Sequence, residues 1–340
     1  KLDRAFIQTS EKGTWLAQAE HIVNNLTDAV IDDAFLKLPS EVQDATSDEI
    51  KRKLKSRRDQ LKQAASEYYD YMSRLIVITG TDKDDHFEIT RGNGSTRIKV
   101  SRIKDGVTTE PYKERVIYSN ETREVWIYGL DDYDQFVVNG KGSNPVFIRI
   151  IGGQNNDVYT IENGRKVKVH EHNSKPNTRV SKNGASVRRS DFYEIHTYDY
   201  EKQISRSNNV IPSIGANPDD GLRIGISDTY TIRGFKTNPF HQKHTFGALY
   251  FFATNGFDLK YKGEFASVFG NWNLMIGGRF TSENFTRNFF GFGNNSINND
   301  DDIDLDFHRV KTAIRSGHIG VVRRGEYGGY FALNLGIENI

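Results

Sequence analysis

Hydrophobic and polar residues alternate along the last third of the chain, from about residue 211 to residue 340. The pattern is clearest in residues 257–265, where one face holds Phe257, Leu259, Tyr261 and Phe265. The other face holds Asp258, Lys260, Lys262 and Glu264. A two-residue period is typical of β-strands, and a strand between lipid and water needs one apolar and one polar face. We therefore predict part of an antiparallel transmembrane β-barrel here.

This region predicts seven or eight strands. The candidate segments are 210–216, 222–233, 244–254, 257–268, 271–280, 303–315, 318–323 and 329–340. Asn255-Gly256 and Gly270-Asn271 predict two of the turns between them. A barrel of this kind needs about eight strands or more, so we expect either that partners complete it or that the chain is a fragment.

A soluble antiparallel sandwich is the alternative fold for the same residues. It shows the same alternation, with the apolar face turned toward a core. Soluble strands have roughly five or six residues, whereas segments 257–268 and 303–315 approach the length that crosses a bilayer. Length and aromatic content favour the membrane.

Composition sets limits on partners and cofactors. The 340 residues contain 46 basic and 45 acidic side chains, so no overall charge attracts nucleic acid or an acidic substrate. The absence of cysteine excludes disulfides and thiolate metal sites. No basic region followed by an apolar stretch lies near Lys1, so we expect the natural N-terminus to lie upstream.

Residues 1–75 are predicted to be helical. Two short helices are expected around residues 13–21 and 27–35, the second ending before Pro39. A longer amphipathic helix is expected after Ser47, because apolar residues follow at three- and four-residue spacings. Its polar face is basic, which is usual for a solvated helix and is also found on helices that bind anionic partners.

The middle of the chain, residues 76–208, contains three copies of one pattern. The copies are 77–89, 126–138 and 149–161. In each, a glycine is followed five residues later by Asp and seven residues later by an aromatic residue. We predict a β-domain in which each copy forms a strand, a turn and a strand, with Asp accepting turn amides and the ring entering a core.

The third copy resembles the glycine- and aspartate-rich calcium-binding nonapeptide of parallel β-rolls. The resemblance implies a calcium site formed by carboxylates of the three turns. The candidate ligands are Asp82, Asp84, Asp85, Asp131, Asp132, Asp134 and Asp157. The alternative is that these carboxylates only cap turns, since the copies are not in tandem and only one has Gly-Gly. His170 and His172 fall on one strand face and form a weaker candidate for zinc.

The barrel region also carries a resemblance to a known superfamily. Residues 212–225 (PSIGANPDDGLRIG) resemble the opening of the barrel in BamA-like outer-membrane assembly and translocation proteins. Residues 288–296 (NFFGFGNNS) are similar to the Phe-Gly-x-Gly-Asn loop found a few strands later in that group. More narrowly, most of residues 10–340 resembles the C-terminal part of envelope proteins in which a calcineurin-like metallophosphoesterase precedes a helical segment, a β-domain and a barrel.

The resemblance implies a location in the outer membrane of a Gram-negative bacterium. Residues before about 208 would be periplasmic, and residues 209–340 would be the first part of the barrel. The acidic run 294–306 would lie outside the cell if 210–216 is the first strand and would point inward if residue 222 begins the barrel; long extracellular loops favour the first count. The implied partners are outer-membrane lipid and other envelope assembly or export subunits. Two departures are clear: the phosphoesterase metal motifs are missing, and Arg-Gly-Phe at 233–235 stands too early for the lid-loop signature.

Three functions follow from these patterns. The first is a noncatalytic barrel that assembles or exports proteins through its sheet edge, and the second is a membrane anchor for an upstream phosphoesterase. The third is a calcium-binding β-roll-like adhesion module. No nucleophile elbow or phosphate-binding loop is present, so we assign no catalytic and no cofactor-binding residue within the chain.

Overall fold

The computed structural model describes residues 10–174, 177–202, 206–217, 221–235, 240–293, 297, 302–303, 307–325 and 329–340. It is mainly β-structure, with helices in the N-terminal part, as the sequence predicts. It divides into two compact units between Glu201 and Lys202, whereas the sequence placed a domain boundary after residue 208. No helix among the described residues is both long and apolar enough to cross a membrane.

Among the residues that the structure describes, four α-helices precede the first strand. They are α1 (Lys12–Asn25), α2 (Asp28–Leu36), α3 (Ala45–Asp59) and α4 (Leu61–Met72), with a 3-10 turn at Ser40–Val42. Asp44 caps α3 by accepting hydrogen bonds from the amides of Thr46 and Ser47. The prediction of one long helix from Ser47 to about Leu75 is therefore wrong. Two helices occupy this segment, the first of them begins earlier and ends at Asp59, and Leu75 belongs to a strand.

The helices are held by aromatic contacts and ion pairs. Trp15 of α1 packs on Tyr68 and Tyr69 of α4, with ring centres 5.7 and 5.8 Å apart. The basic face of α3 is largely paired with acids: Lys55 contacts Asp32 and Arg58 contacts Asp28. This face is therefore not an uncompensated positive surface.

In the described part of the first unit, eleven strands follow. They are β1 (Leu75–Thr79), β2 (Asp85–Arg91), β3 (Ser95–Lys104), β4 (Val107–Tyr118), β5 (Glu124–Tyr128), β6 (Gln135–Asn139), β7 (Phe147–Ile151), β8 (Val158–Ile161), β9 (Val167–His172), β10 (Thr178–Ser181) and β11 (Ser186–Ser190). A short helix, α5 (Tyr193–His196), ends the series.

These strands form two sheets that share one core. The first sheet has the order β1-β5-β7-β9-β11 and is parallel throughout. The second has the order β10-β8-β6-β2-β3-β4, and only the β3–β4 hairpin brings antiparallel pairs into it. The chain alternates between the sheets, so each strand–turn–strand copy is one coil of a parallel solenoid. Alternate residues of both sheets, such as Ile127 and Phe136, fill the space between them.

The second unit contains a sheet of seven antiparallel strands. Its strands are β12 (Arg206–Asn217), β13 (Gly221–Ile232), β14 (Gln242–Phe251), β15 (Gly256–Phe269), β16 (Trp272–Thr281), β19 (Arg315–Arg324) and β20 (Tyr330–Asn339). They pair in chain order, and β12 and β20 form the two edges among the described residues. Two short strands, β17 (Phe285–Asn288) and β18 (Arg309–Thr312), pair only with each other.

Two local predictions for this sheet are wrong. A four-residue turn, residues 252–255, replaces the predicted Asn255-Gly256 hairpin, because Phe251 pairs with Gly256 itself. Segment 303–315 is not one strand: β18 pairs with β17, and a new strand starts at Arg315. The Gly270-Asn271 turn is confirmed by the Phe269–Trp272 pair. Residues 218–220 and 294–296 of the resembling segments, and most of the acidic run 294–306, lie outside the described residues.

Candidate functional site

A column of buried carboxylates runs along one row of turns in the first unit. The amide of Asp85 donates to Asp134 Oδ1 at 2.9 Å, and the amide of Asp134 donates to Asp157 Oδ1 at 3.2 Å. The amide of Asp157 continues the column by donating to Asn177 Oδ1 at 2.9 Å. Each side chain thus satisfies a backbone donor of the neighbouring coil that would otherwise be buried without a partner.

The glycine of each copy is explained by this column. A Cβ atom on Gly129 would overlap Asp134 Oδ2, and one on Gly152 would overlap Asp157 Oδ2. At Gly80 the added atom would lie 2.7 Å from Asp85 Oδ2. The carboxylate lies against the bare α-carbon of its own turn, so the glycine and the aspartate five residues later form one steric unit.

The aromatic residue of each copy forms a second column inside the core. Phe87 stacks on Phe136 with ring centres 4.7 Å apart, and Phe136 stacks on Tyr159 at 5.3 Å. All three side chains are fully buried. The prediction that the ring enters a core is confirmed, and its stacking follows from the parallel register that aligns the three positions.

Burial changes the titration of the column. Loss of solvation raises the pKa of Asp134 to about 9, and the charges of the neighbouring aspartates act in the same direction. Loss of solvation also raises the pKa of Asp157 to about 7. Asp85 has a charged partner: the guanidinium of Arg102 lies 3.3 Å from its Oδ1, and the amide and hydroxyl of Thr81 donate to its Oδ2.

The other candidate calcium ligands lie at the exposed side of the same turns. Asp84 accepts a hydrogen bond from the amide of Tyr133, Asp131 accepts one from Asn155, and Asp132 lies 3.7 Å from the ammonium of Lys83. Asp82 is exposed. Within the described parts of the chain, no group of three or more His, Asp or Glu side chains is arranged to hold a metal ion. The geometry favours turn capping, and calcium stays a prediction.

The strand-face histidines lie on the outer side of the parallel sheet. The rings of His172 and His196 are 5.0 Å apart in an edge-to-face contact, and Ser174 lies 2.8 Å from His172 Nδ1. His170 is buried and lies 3.4 Å from Arg149. Burial lowers the pKa of His196 to about 4, which keeps its ring neutral. These contacts pack α5 on β9.

The seven-stranded sheet of the second unit has two chemically opposite faces. The two-residue period and the cross-strand register place one apolar set of side chains on a single face. Nine of its large members are between 43% and 78% exposed: Ile224, Ile226, Phe246, Leu259, Phe280, Ile319, Leu333, Leu335 and Ile337. Large apolar side chains that are exposed together on one face mark a surface that meets lipid or another protein.

Charged groups are buried on the opposite face. Arg279 holds Asp258 with two hydrogen bonds of 3.0 and 2.9 Å. Glu264 accepts bonds from Arg324 at 2.8 to 3.1 Å and from Asn273 at 2.9 Å. Asp258 is only 3% exposed and Asn273 only 1%. Bidentate ion pairs of this kind offset part of the cost of desolvating the charges.

Sequence reasoning found the residues of both faces but not their partners. Arg324 and Glu264 are 60 residues apart, and no local pattern pairs them. Likewise, Asn177 closes the carboxylate column without belonging to any repeat copy. Comparison with protein families, with curated proteins and with solved structures finds no match for the chain.

Proposed function

We propose that residues 206–339 form part of the wall of a transmembrane β-barrel in the outer membrane of a Gram-negative bacterium. The observation that carries the proposal is the inverted polarity of the seven-stranded sheet: its apolar side chains are exposed while Asp258 and Glu264 are buried in ion pairs. Lipid on one side and a polar interior on the other make this arrangement favourable. The strands of 10 to 14 residues also have the length that a tilted strand needs to cross.

The proposed role is noncatalytic assembly or export of proteins at that membrane, as in the BamA-like superfamily. The first strand of the sheet supports it: among the described residues β12 pairs with β13 and with no other strand. An edge strand presents unpaired amides and carbonyls, which are costly in lipid and bind an incoming strand. The first unit, a rigid solenoid of short coils, would then be the periplasmic part that meets partner subunits.

The membrane location is testable because the chain contains no cysteine. Single Leu259→Cys and Lys260→Cys variants would be labelled with an environment-sensitive fluorophore and reconstituted into phosphatidylcholine vesicles. We expect a lipid-soluble quencher to reach the label at 259 and a water-soluble quencher to reach the label at 260. Equal access of the water-soluble quencher to both sites, with the protein in the aqueous fraction, would refute the barrel.

The assembly role is separately testable at the sheet edge. A photo-crosslinking amino acid would replace Asn209 on the edge strand β12, with a matched replacement of Met275 on the central strand β16. We expect crosslinks from β12 to a strand of another barrel protein and none from β16. Crosslinks from β12 to its own chain alone would favour the membrane anchor of an upstream phosphoesterase.

A calcium-binding β-roll module is the second candidate, because the first unit does form stacked parallel coils with aligned turns. Calcium titration of the full chain, followed by the unfolding temperature, tests it. A calcium-dependent rise in the unfolding temperature that is lost in Asp132→Asn, but kept in the exposed control Asp105→Asn, would support this candidate.

A further inference from the structure

A groove crosses the apolar face of the seven-stranded sheet. Its volume is about 790 Å³, and Phe246, Leu259, Tyr261 and Phe280 contribute its larger walls. Glycine explains the depression: Gly278 pairs with Tyr261, so a row of aromatic side chains is interrupted where β16 carries none. A volume of this size suits a small-molecule ligand or a lipid chain rather than a single side chain.

One end of the groove carries an unneutralised cation. Arg315 is exposed and its guanidinium carbon lies 5.7 Å from the ring centre of Phe280. No carboxylate among the described residues pairs with it, whereas the other two cations of the lining, Lys260 and Arg279, are both paired with Asp258. Arg315 is the first residue of β19, so it lies at the end of the apolar band, where the headgroup region of a bilayer would begin.

The other end of the groove carries a carboxylate. Asp228 lines it from β13, and its Oδ1 is buried without a hydrogen-bond partner in the described structure. The strand order places Asp228 and Arg315 four strands apart, which is about 19 Å at the usual spacing of about 4.8 Å. An anion is therefore attracted at one end and repelled at the other.

We propose that this groove binds one anionic phospholipid, with its phosphate on Arg315 and an acyl chain along Leu259 and Phe280. The proposal rests on the membrane location proposed above. The guanidinium fork matches the oxygens of a phosphate diester and binds them with charge-assisted hydrogen bonds. The aromatic and aliphatic walls bury the acyl chain. Asp228 fixes the orientation of the lipid because its charge keeps the headgroup away from the far end of the groove.

The test is lipid retention by the full chain. Wild type, Arg315→Gln and Arg323→Gln would be reconstituted into vesicles of equimolar phosphatidylglycerol and phosphatidylcholine, extracted in mild detergent and examined by native mass spectrometry. Arg323 is the matched control because it lies on the same face of β19 at its other end, outside the groove. We expect one retained phosphatidylglycerol in wild type and Arg323→Gln, and about tenfold weaker retention in Arg315→Gln.

A second variant separates binding of the acyl chain from binding of the phosphate. Ala248→Leu fills the groove without touching Arg315, and we expect it to lower retention as well. Equal retention by wild type and Arg315→Gln, or equal retention of the neutral lipid, would overturn the lipid site alone. Failure of the wild type to enter the vesicles would overturn the membrane location and the site together.

Discussion

The two β-units bury opposite kinds of residue with the same two-residue alternation. In the solenoid of residues 75–190, alternate side chains such as Phe87 and Ile127 are fully buried between two sheets. In the sheet of residues 206–339, Ile319 is 55% exposed while Asp258 is 3% exposed. An alternating pattern therefore identifies the two faces of a strand but not which face is covered. Which face is covered depends on what packs against the sheet, and this differs between the two units.

The largest effect is expected at a glycine of the solenoid. Gly129→Ala would drive a methyl group into Asp134 Oδ2 and within 2.7 Å of the Gly152 carbonyl, so the buried carboxylate must leave its place. Overpacking together with the lost bond to the Asp85 amide should cost about 4 kcal/mol of unfolding free energy. Hydrogen exchange of peptides from residues 75–190 measures the loss in that unit alone.

The control for this change is Gly13→Ala, where no atom lies within 4 Å of the added methyl group. Gly13 is in α1, so we expect no loss and a small gain from helix propensity. A Gly129→Ala variant as stable as wild type would mean that the carboxylate column does not hold the coils together.

The second effect tests the proposal that the apolar side of the other sheet meets lipid. Ile319→Lys places a charge at the centre of β19 on the apolar face, and we expect a cost of about 3 kcal/mol for folding into phosphatidylcholine vesicles. His318→Lys, one residue earlier and on the polar face, should cost little. An Ile319→Lys variant that folds into vesicles as favourably as wild type would contradict the barrel, because an exposed residue of a soluble protein tolerates lysine.

The third effect concerns the ion pairs of the polar face. Arg324→Met leaves Glu264 buried with only Asn273 as a donor, and we expect a loss of about 2 kcal/mol, reduced because Arg324 is itself one-third exposed. Adding Glu264→Gln removes the unpaired charge and should restore part of the loss. Denaturant unfolding of both variants gives the coupling energy, and an equal loss in the double variant would show that the pair is not coupled.

Much of the solenoid was predictable from sequence, but its stacking was not. The three Gly-x4-Asp copies predict strand, turn and strand, and the structure confirms each as β1–β2, β5–β6 and β7–β8. The copies are held together by hydrogen bonds between residues that are 49 and 23 positions apart in the chain. The first separation is long because the β3–β4 hairpin lies between the first two copies. Hydrophobic periodicity records only the local strand, so the parallel register and the carboxylate column appear only in three dimensions.

The errors in the other sheet have a similar origin. Segment 303–315 has a continuous strand pattern, yet the amide of Ile314 donates to Thr281 Oγ1 just before β19 begins. The preceding residues pair with β17 instead. The change from one ladder to the next therefore coincides with hydrogen bonds to Thr281, which lies 33 residues earlier, and periodicity does not contain that information. The same limit applies to the groove, which depends on which residues become cross-strand neighbours.

The last prediction sharpens the comparison through pH, because Asp134 of the solenoid is buried without an ion-pair partner among the described residues, whereas Asp258 and Glu264 of the other sheet lie in ion pairs. Burial raises the pKa of Asp134 to about 9, above its ordinary value of 3.8, so the folded state holds a proton that the unfolded state releases. The resulting stability is fully present below about pH 4 and is lost as pH rises toward 9, by at most about 1.4 kcal/mol for each pH unit. In Asp134→Asn the amide oxygen still accepts the Asp85 amide but does not titrate. We expect the denaturant midpoint of the first unit to fall between pH 6 and pH 9 in wild type and to fall less in the variant. If the midpoint changes equally with pH in both proteins, Asp134 is charged in the folded state.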